Sequence, residues 1–334
     1  MLTRLVLWTM LASPATLFPA QAFAQPKSPF KLAVNTGASA QIIPVNLTNE
    51  QVAATVNGEK ILVGEVRKIL DVRPPSVIVL TESQKKDSRQ AALEVLIEDA
   101  LMRQYLGKQV TQVSQADFDK EFKELSDALV KLKKSFAEFL AESGQTEEQL
   151  RRDIIARLQW RTMLVRLLPE ENAKKYYDEN KVFFDKIYVR ASHILIKLPP
   201  NPTREQRDKA TQQLLVWRQE ILLGKAKFEE IAKIHSQCPS KDKDGDIGQF
   251  PYKFVVLPEF AGAAFAMREG EISDVVQTVS GLHLIKVTER LKGEPSDFDA
   301  VKQAVREVWA QDEDLYQRIL TDQKKVVPIK IDLP

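Results

Sequence analysis

The segment SHILIK, Ser192–Lys197, returns in altered form as GLHLIK, Gly281–Lys286, and the reading of this pair decides the fold. Each is a run of aliphatic and β-branched residues with one histidine embedded in it, a pattern that suits a strand. Alternate residues of a strand share a face. His193 therefore lies with Val189, Ala191 and Leu195, and His283 with Gly281, Ile285 and Val287. The whole chain of 334 residues has only three histidines, so two imidazoles on apolar faces of matching strands need a reason. One histidine on such a face is more often a satisfied core residue than a functional one. Two of them, with the hydroxyls of Thr278 and Ser280 able to hydrogen-bond them, point to a pair at a core or a cleft.

Working outward, YVRASHILIK (188–197) is followed by a charged helix. Thr203 with Gln206 opens it as a capping box, it carries Leu214, Leu215 and Ile221, and Gly224 closes it. KFEEIAKIHS is a short helix, CPSKDKDGDIGQF a loop and PEFAGAAFAM another short helix. VVQTVSGLHLIKVTER then makes two strands with a turn at Ser280-Gly281. The order β-α-α-α-β-β describes an α+β unit of ordinary domain size.

The flanks are helical. VAATVNGEKI forms a hairpin about Asn57-Gly58. A helix with Leu93, Leu96, Ile97, Ala100 and Leu101 on one face follows. A second starts at Ser114 with Asp117, carries Phe118, Phe122, Leu125, Leu129, Leu132, Phe136 and Leu140, and ends at Gly144. A third starts at Thr146 with Gln149, carries Leu150, Ile154, Ile155, Leu158 and Leu164, and runs to Pro169. None carries a catalytic constellation, so the helices read as a packing or binding domain. After the α+β unit, Ser296 with Asp299 caps one long helix from Phe298 to Lys325, and VVPIKIDLP ends in an edge strand. The α+β unit is thus inserted between helical segments, with the tail expected to pack back on the first of them.

Composition excludes several functions. The 48 basic and 46 acidic residues leave a net charge of +2, with no clustered basic face for nucleic acid. No glycine-rich phosphate loop is present in the sequence. Residues 1–24 hold Arg4, an apolar stretch broken by Pro14 and Pro19, and the small-x-small site Ala22-Phe23-Ala24, which reads as a cleaved signal peptide. No cysteine follows that could take a lipid, so a soluble exported protein is expected, without stable membrane insertion. The stretch 25–50 reads as a flexible leader.

All three histidines and the single cysteine, Cys238, fall within the α+β unit. Zinc needs three or four ligands at short spacings, which these residues lack. A cysteine peptidase needs an oxyanion hole beside its thiolate, and Pro239 removes the next backbone N–H. No metal or cofactor is expected.

The motifs ASHILIK, IHSQCPSKDKDGDIGQF and LPEFAGAAFAMREGEISDVVQTVSGLHLIKVTE, in that order, resemble the successive signatures of parvulin-type peptidyl-prolyl isomerases over Tyr188 to Arg290. The resemblance implies that His193 and His283 are the paired core histidines, joined through the hydroxyls of Thr278 and Ser280, and that Cys238 occupies the active-site cysteine or aspartate position. It makes Ile247, Phe250, Val256, Phe260, Phe265 and Met267 the apolar pocket for the substrate proline ring. Two residues depart from the family pattern: Asp244 stands where a glycine is common, and Val256 where methionine is common. Phosphate-directed members carry a basic cluster soon after the first histidine strand. Here Lys197 is followed by LPPNPTREQR, and Arg204 and Arg207 read as solvated helix charges, so no phosphorylated substrate is expected.

VAATVNGEKILVGEV and the helices after it resemble the N-terminal chaperone domain of the SurA and PrsA foldases, which a C-terminal helix completes. The resulting division is 51–186 chaperone domain, 187–290 isomerase domain and 291–334 returning helix and strand. The implied activity is prolyl isomerisation with chaperoning of unfolded exported proteins in the periplasm or outside the cell. A binding chaperone with a catalytically inactive parvulin domain is the alternative.

Overall fold

The computed structural model describes residues 42–334 apart from 45, 72–79, 111 and 144. The signal peptide at 1–24, the leader as far as 41 and the helix end at Gly144 lie outside the described residues. In chain order the elements are β1 (Val52–Val56), β2 (Glu59–Leu62), α1 (Val63–Asp71), α2 (Glu82–Gln109), α3 (Gln115–Lys131), α4 (Phe136–Ser143), α5 (Glu147–Leu167), α6 (Glu170–Glu179) and α7 (Lys181–Phe184). They continue with β3 (Tyr188–Lys197), α8 (Arg204–Leu222), α9 (Phe228–His235), a 3-10 turn (Pro239–Lys243), β4 (Asp246–Pro251), α10 (Pro258–Ala266), β5 (Val276–Thr278) and β6 (Gly281–Leu291). The last are α11 (Phe298–Asp312), α12 (Leu315–Val326) and β7 (Ile329–Ile331). The fold is α+β: a sheet-bearing unit, Lys175–Val301, is inserted into a mainly helical unit whose described part is 42–174 with Lys302–Pro334.

In the helical unit, β1 and β2 form an antiparallel hairpin whose turn residues Asn57 and Gly58 both have positive φ, 49° and 86°. β7 adds to the other side of β1, so the sheet order is β2-β1-β7 and β7 is an edge strand. The core joins Ala54 and Val56 to Leu93, Ile97 and Leu101 of α2, Trp160 and Leu164 of α5, and Ile319 and Leu320 of α12. Lys324 of α12 pairs with Glu94 and Glu98 of α2. A smaller cluster, Phe118, Leu125, Leu129, Leu150 and Ile154, joins α3 to α5. Beside it Glu121 is buried and paired with Arg157 and Arg161, and Arg161 also reaches Glu307 of α11 at 3.3 Å.

The helix starts follow the capping chemistry. Thr146 Oγ1 accepts the Gln149 N–H at 3.1 Å, and the Gln149 side chain accepts the Thr146 N–H at 2.9 Å. The same reciprocal pair joins Thr203 and Gln206. Several expectations are corrected. Residues 42–50 belong to the expected flexible leader, yet Ile42 and Ile43 are buried in the core and Arg67 donates to the Leu47 carbonyl at 2.7 Å. The stripe from Phe118 to Leu140 spans α3 and α4, because Lys133 takes the left-handed conformation (φ 55°) between them. The tail helix is likewise divided, at Asp314 (φ 49°). Ser296 lies two residues before the helix start and is tied to the preceding helices: its N–H and hydroxyl donate to Asp185 at 2.8 and 2.9 Å, and its carbonyl accepts the Tyr177 hydroxyl at 2.6 Å.

In the sheet-bearing unit the order is β4-β3-β6-β5, all antiparallel. β4 lies in the segment expected to be loop, and the turn between β5 and β6 is Val279-Ser280, one residue earlier than expected. Strand alternation sets the two faces. Ile194, Leu282 and Leu284 face α8 and α9, burying Ala210, Leu214, Phe228 and Ile231. Val189, Ala191, Ile285 and Val287 face the other way, with Phe250, Phe260 and Ala264.

Candidate active site

The second face carries both imidazoles. His193 pairs in register with Ile285, and His283 with Leu195, so the two histidines are diagonal neighbours on adjacent strands. Two glycines allow the close backbone approaches around them. Gly245 has φ +85° and its amide carbonyl accepts the His193 N–H at 2.9 Å. A β-carbon there would stand 2.7 Å from the His193 carbonyl oxygen. Gly281, φ +136°, starts β6 against the Ile196 carbonyl, where a side chain has no room.

The rings meet directly. His193 Nδ1 and His283 Nδ1 are 3.1 Å apart, and the rings stack with centroids at 5.3 Å and an interplanar angle of 18°. Beyond them, His283 Nε2 lies 2.8 Å from Thr278 Oγ1, which itself accepts the Ser280 backbone N–H at 3.1 Å. Thr278, His283 and His193 thus form one hydrogen-bonded chain. Thr278 Oγ1 keeps a second lone pair after accepting from Ser280, so it is able both to donate to His283 Nε2 and to accept from it. The two Nδ1 atoms share one hydrogen bond, and His193 Nε2 at the far end is buried with no hydrogen-bond partner among the described residues. Burial pushes both imidazoles down to about 4, and for His283 repulsion from a charged His193 adds to it. Both rings are therefore neutral at pH 7.

Apolar and aromatic side chains close around this pair. Phe260 meets His193 and His283 edge-on, each at 5.5 Å between centroids, and packs on Phe250 at 5.9 Å. Phe265 packs on Phe250 at 6.2 Å and on Tyr252 at 5.2 Å. Ile247, Val256 and Met267 are half-buried against the same cluster. All six residues expected to form the proline pocket are thus brought together, from β4, α10 and the loops flanking α10.

Other expected site residues are placed differently. Ser280 is exposed and supports Thr278 through its backbone, so the histidines are joined ring to ring and not through two hydroxyls. Cys238 is half-buried at the start of the 3-10 turn, and among the described residues no hydrogen bond joins it to either imidazole. Its N–H reaches Ser236 Oγ at 3.4 Å. Ser236 was not singled out in the sequence. It is buried, and its hydroxyl also accepts the Leu195 N–H at 3.1 Å, tying the Cys238 loop to β3. Its only sequence signal was its place just after α9. Asp244 takes the left-handed conformation (φ 57°), which aspartate tolerates better than most residues, so the turn into Gly245 survives without a glycine there. Among the described residues no group of His, Cys, Asp and Glu side chains could hold a metal.

Residues 193–289 match the family described as "Rotamase: PPIC-type PPIASE domain". Peptidyl-prolyl cis-trans isomerase Pin1 of Malus domestica is 42% identical over 113 residues, covering 30% of this chain and 93% of that protein. The chain belongs to the parvulin family. The resemblance read from Tyr188 to Arg290 is borne out. The parvulin unit carries the site just described, and over most of its length the chain is similar to PrsA foldases. "Foldase protein PrsA" of Clostridium botulinum (strain Loch Maree / Type A3) is 28% identical over 309 residues, covering 83% of this chain and 87% of that one. A solved structure of PrsA from Bacillus anthracis is similar with a TM-score of 0.40 and 26% identity, covering 69% of this chain and 96% of that one. No helix among the described residues is long and apolar enough to cross a membrane.

Proposed function

We propose that the protein is an exported foldase whose parvulin unit catalyses cis–trans isomerisation of Xaa-Pro bonds in unfolded clients. The observation that carries this reading is the gathering of Ile247, Phe250, Val256, Phe260, Phe265 and Met267 against one cluster, with the neutral pair His193 and His283 at its floor. Rotation about a prolyl amide faces a barrier of about 18–20 kcal/mol, set by amide resonance. No bond breaks. The twisted transition state loses that resonance, and its carbonyl and nitrogen are solvated differently from those of the planar amide. A pocket that grips the proline ring and offers few polar groups near the amide favours the twisted state over the planar one. A reduction of ~5 kcal/mol gives acceleration of several thousandfold.

In this reading the imidazoles act by remaining neutral. A charged ring at the floor would stabilise the charge separation of the planar amide and oppose rotation. Thr278 anchors the His283 ring by its hydrogen bond, and Cys238 tunes polarity at the rim without a covalent step. No adjacent arginine pair follows the first histidine strand in LPPNPTREQR, which supports substrates without phosphate. No cofactor enters the chemistry.

The divisions 51–186, 187–290 and 291–334 serve as chaperone base, isomerase and returning segment. Exposed apolar residues on the helical unit, Val130, Leu132, Val165 and Leu167, support a role in holding clients. The compartment is the periplasm or the cell exterior, reached through the signal at 1–24.

The test is NMR exchange of an unphosphorylated Xaa-Pro peptide with the full mature chain and with a Phe260→Leu variant. Acceleration that falls in the variant supports the enzyme. A folded chain that binds the peptide without accelerating its exchange supports a binding chaperone with an inactive parvulin unit.

A further inference from the structure

We infer that Arg290, at the end of β6, is a positioning residue that sets the outer wall of the proline pocket. It rests on the isomerase reading but is not part of it: Arg290 lies one residue beyond the family match, which ends at 289. α10 carries two pocket aromatics, and its last carbonyls have no partner within the helix. Arg290 supplies one. Its Nη1 donates to the Phe265 carbonyl at 3.0 Å and to the Met267 carbonyl at 2.7 Å. The guanidinium also lies 5.9 Å from the centre of the Phe265 ring.

These contacts fall on the residues where the helix ends and the chain turns away. Met267 leaves α10 in extended conformation (φ −91°, ψ 157°), so its side-chain direction depends on where its backbone is held. The other end of the lever is fixed. Arg290 pairs in register with Val189, whose side chain is buried in the pocket cluster. One side chain thus connects the sheet under the pocket to the helix end above it. The positive charge faces the carbonyl end of the α10 dipole, where a cation is favoured.

The consequence is a particular kinetic signature. In the isomerase reading Phe265 and Met267 line the proline ring, which changes little between planar and twisted amide. Loosening them weakens ground state and transition state alike, which raises KM and leaves kcat. A residue needed only for folding gives no such split.

The experiment uses the full mature chain, its Arg290→Met variant, which keeps an apolar stem, and its Arg290→Lys variant, which keeps the charge and has three N–H donors for the two carbonyls. KM and kcat are measured with an unphosphorylated Xaa-Pro peptide, and thermal unfolding confirms the fold. Arg290→Met should raise KM about tenfold, the scale of one lost charge-assisted hydrogen bond, with kcat within about twofold. Arg290→Lys should recover most of that loss. Unchanged KM in the Met variant, a fall in kcat alone, or no rescue by lysine overturns the assignment. If the wild-type chain binds peptide without accelerating exchange, the isomerase reading fails by itself. Arg290 is then judged by the same tenfold in peptide Kd, and an unchanged Kd overturns it.

Discussion

Lowering the pH from 7 to 5 should loosen the sheet-bearing unit through the two buried imidazoles. In the fold His193 and His283 are held at about 4, and in the unfolded chain they return to the ordinary value of 6.5. The folded value is the lower one, so the unfolded chain binds more protons between 6.5 and 4. Stability from these rings is complete above about pH 7, falls as the pH drops through 6.5, and levels off below 4. Between pH 7 and pH 5 the loss is about 2 kcal/mol for one ring. Part of the His283 shift exists only when His193 is charged, so the pair together lose about 3–4 kcal/mol. At the usual urea dependence for a unit of this size, the midpoint should fall by about 2 M. The assay is urea unfolding read at the amides of β3 and β6, which keeps the helical unit out of the measurement. Asp246 and Glu229, held low by Arg190 and Lys286, also respond to acid, and a His193→Gln/His283→Gln variant removes their share by subtraction. Imidazole resonances of the folded wild type give a second reading that needs no variant. Equal midpoints at pH 7 and 5, or a folded imidazole titrating near 6.5, would refute the account of a neutral, desolvated pair.

Thr278→Val should cost ~1–3 kcal/mol by leaving His283 Nε2 and the Ser280 N–H without their buried partner, while Thr278→Ser keeps the chain intact; urea unfolding at the β6 amides compares them. Phe260→Ala removes the ring that touches both imidazoles and Phe250, and should destabilise the unit by ~3–5 kcal/mol in the same assay. Gly245→Ala sets a β-carbon 2.7 Å from the His193 carbonyl at a positive φ and should cost more than ~1 kcal/mol in thermal unfolding. Asp244→Gly, at a position already left-handed, should change stability by less than ~1 kcal/mol.

Much of this protein is written in short-range patterns. Alternation at period two placed His193 and His283 on apolar faces before any partner was known, because a strand's faces depend only on its own backbone. Thr146 with Gln149, Thr203 with Gln206, and Asn57-Gly58 announced helix starts and a turn for the same reason: the groups that satisfy each other lie within a few residues. The pocket residues were legible through family motifs and not through spacing.

Tertiary structure decided the rest. β4 exists because β3 offers it a partner over fifty residues earlier, and DIGQFP carries no alternation of its own. The helix breaks at Lys133 and Asp314 are invisible to an apolar stripe, which continues across them while the backbone does not. Ser296 is also held by Asp185, an acceptor 111 residues away that no local pattern announces. The direct meeting of the imidazoles, and Arg290 behind Phe265 and Met267, depend on strand register and on where a helix ends in space. A sequence read locally specifies which side of an element is apolar; only the packed chain specifies which atoms then touch.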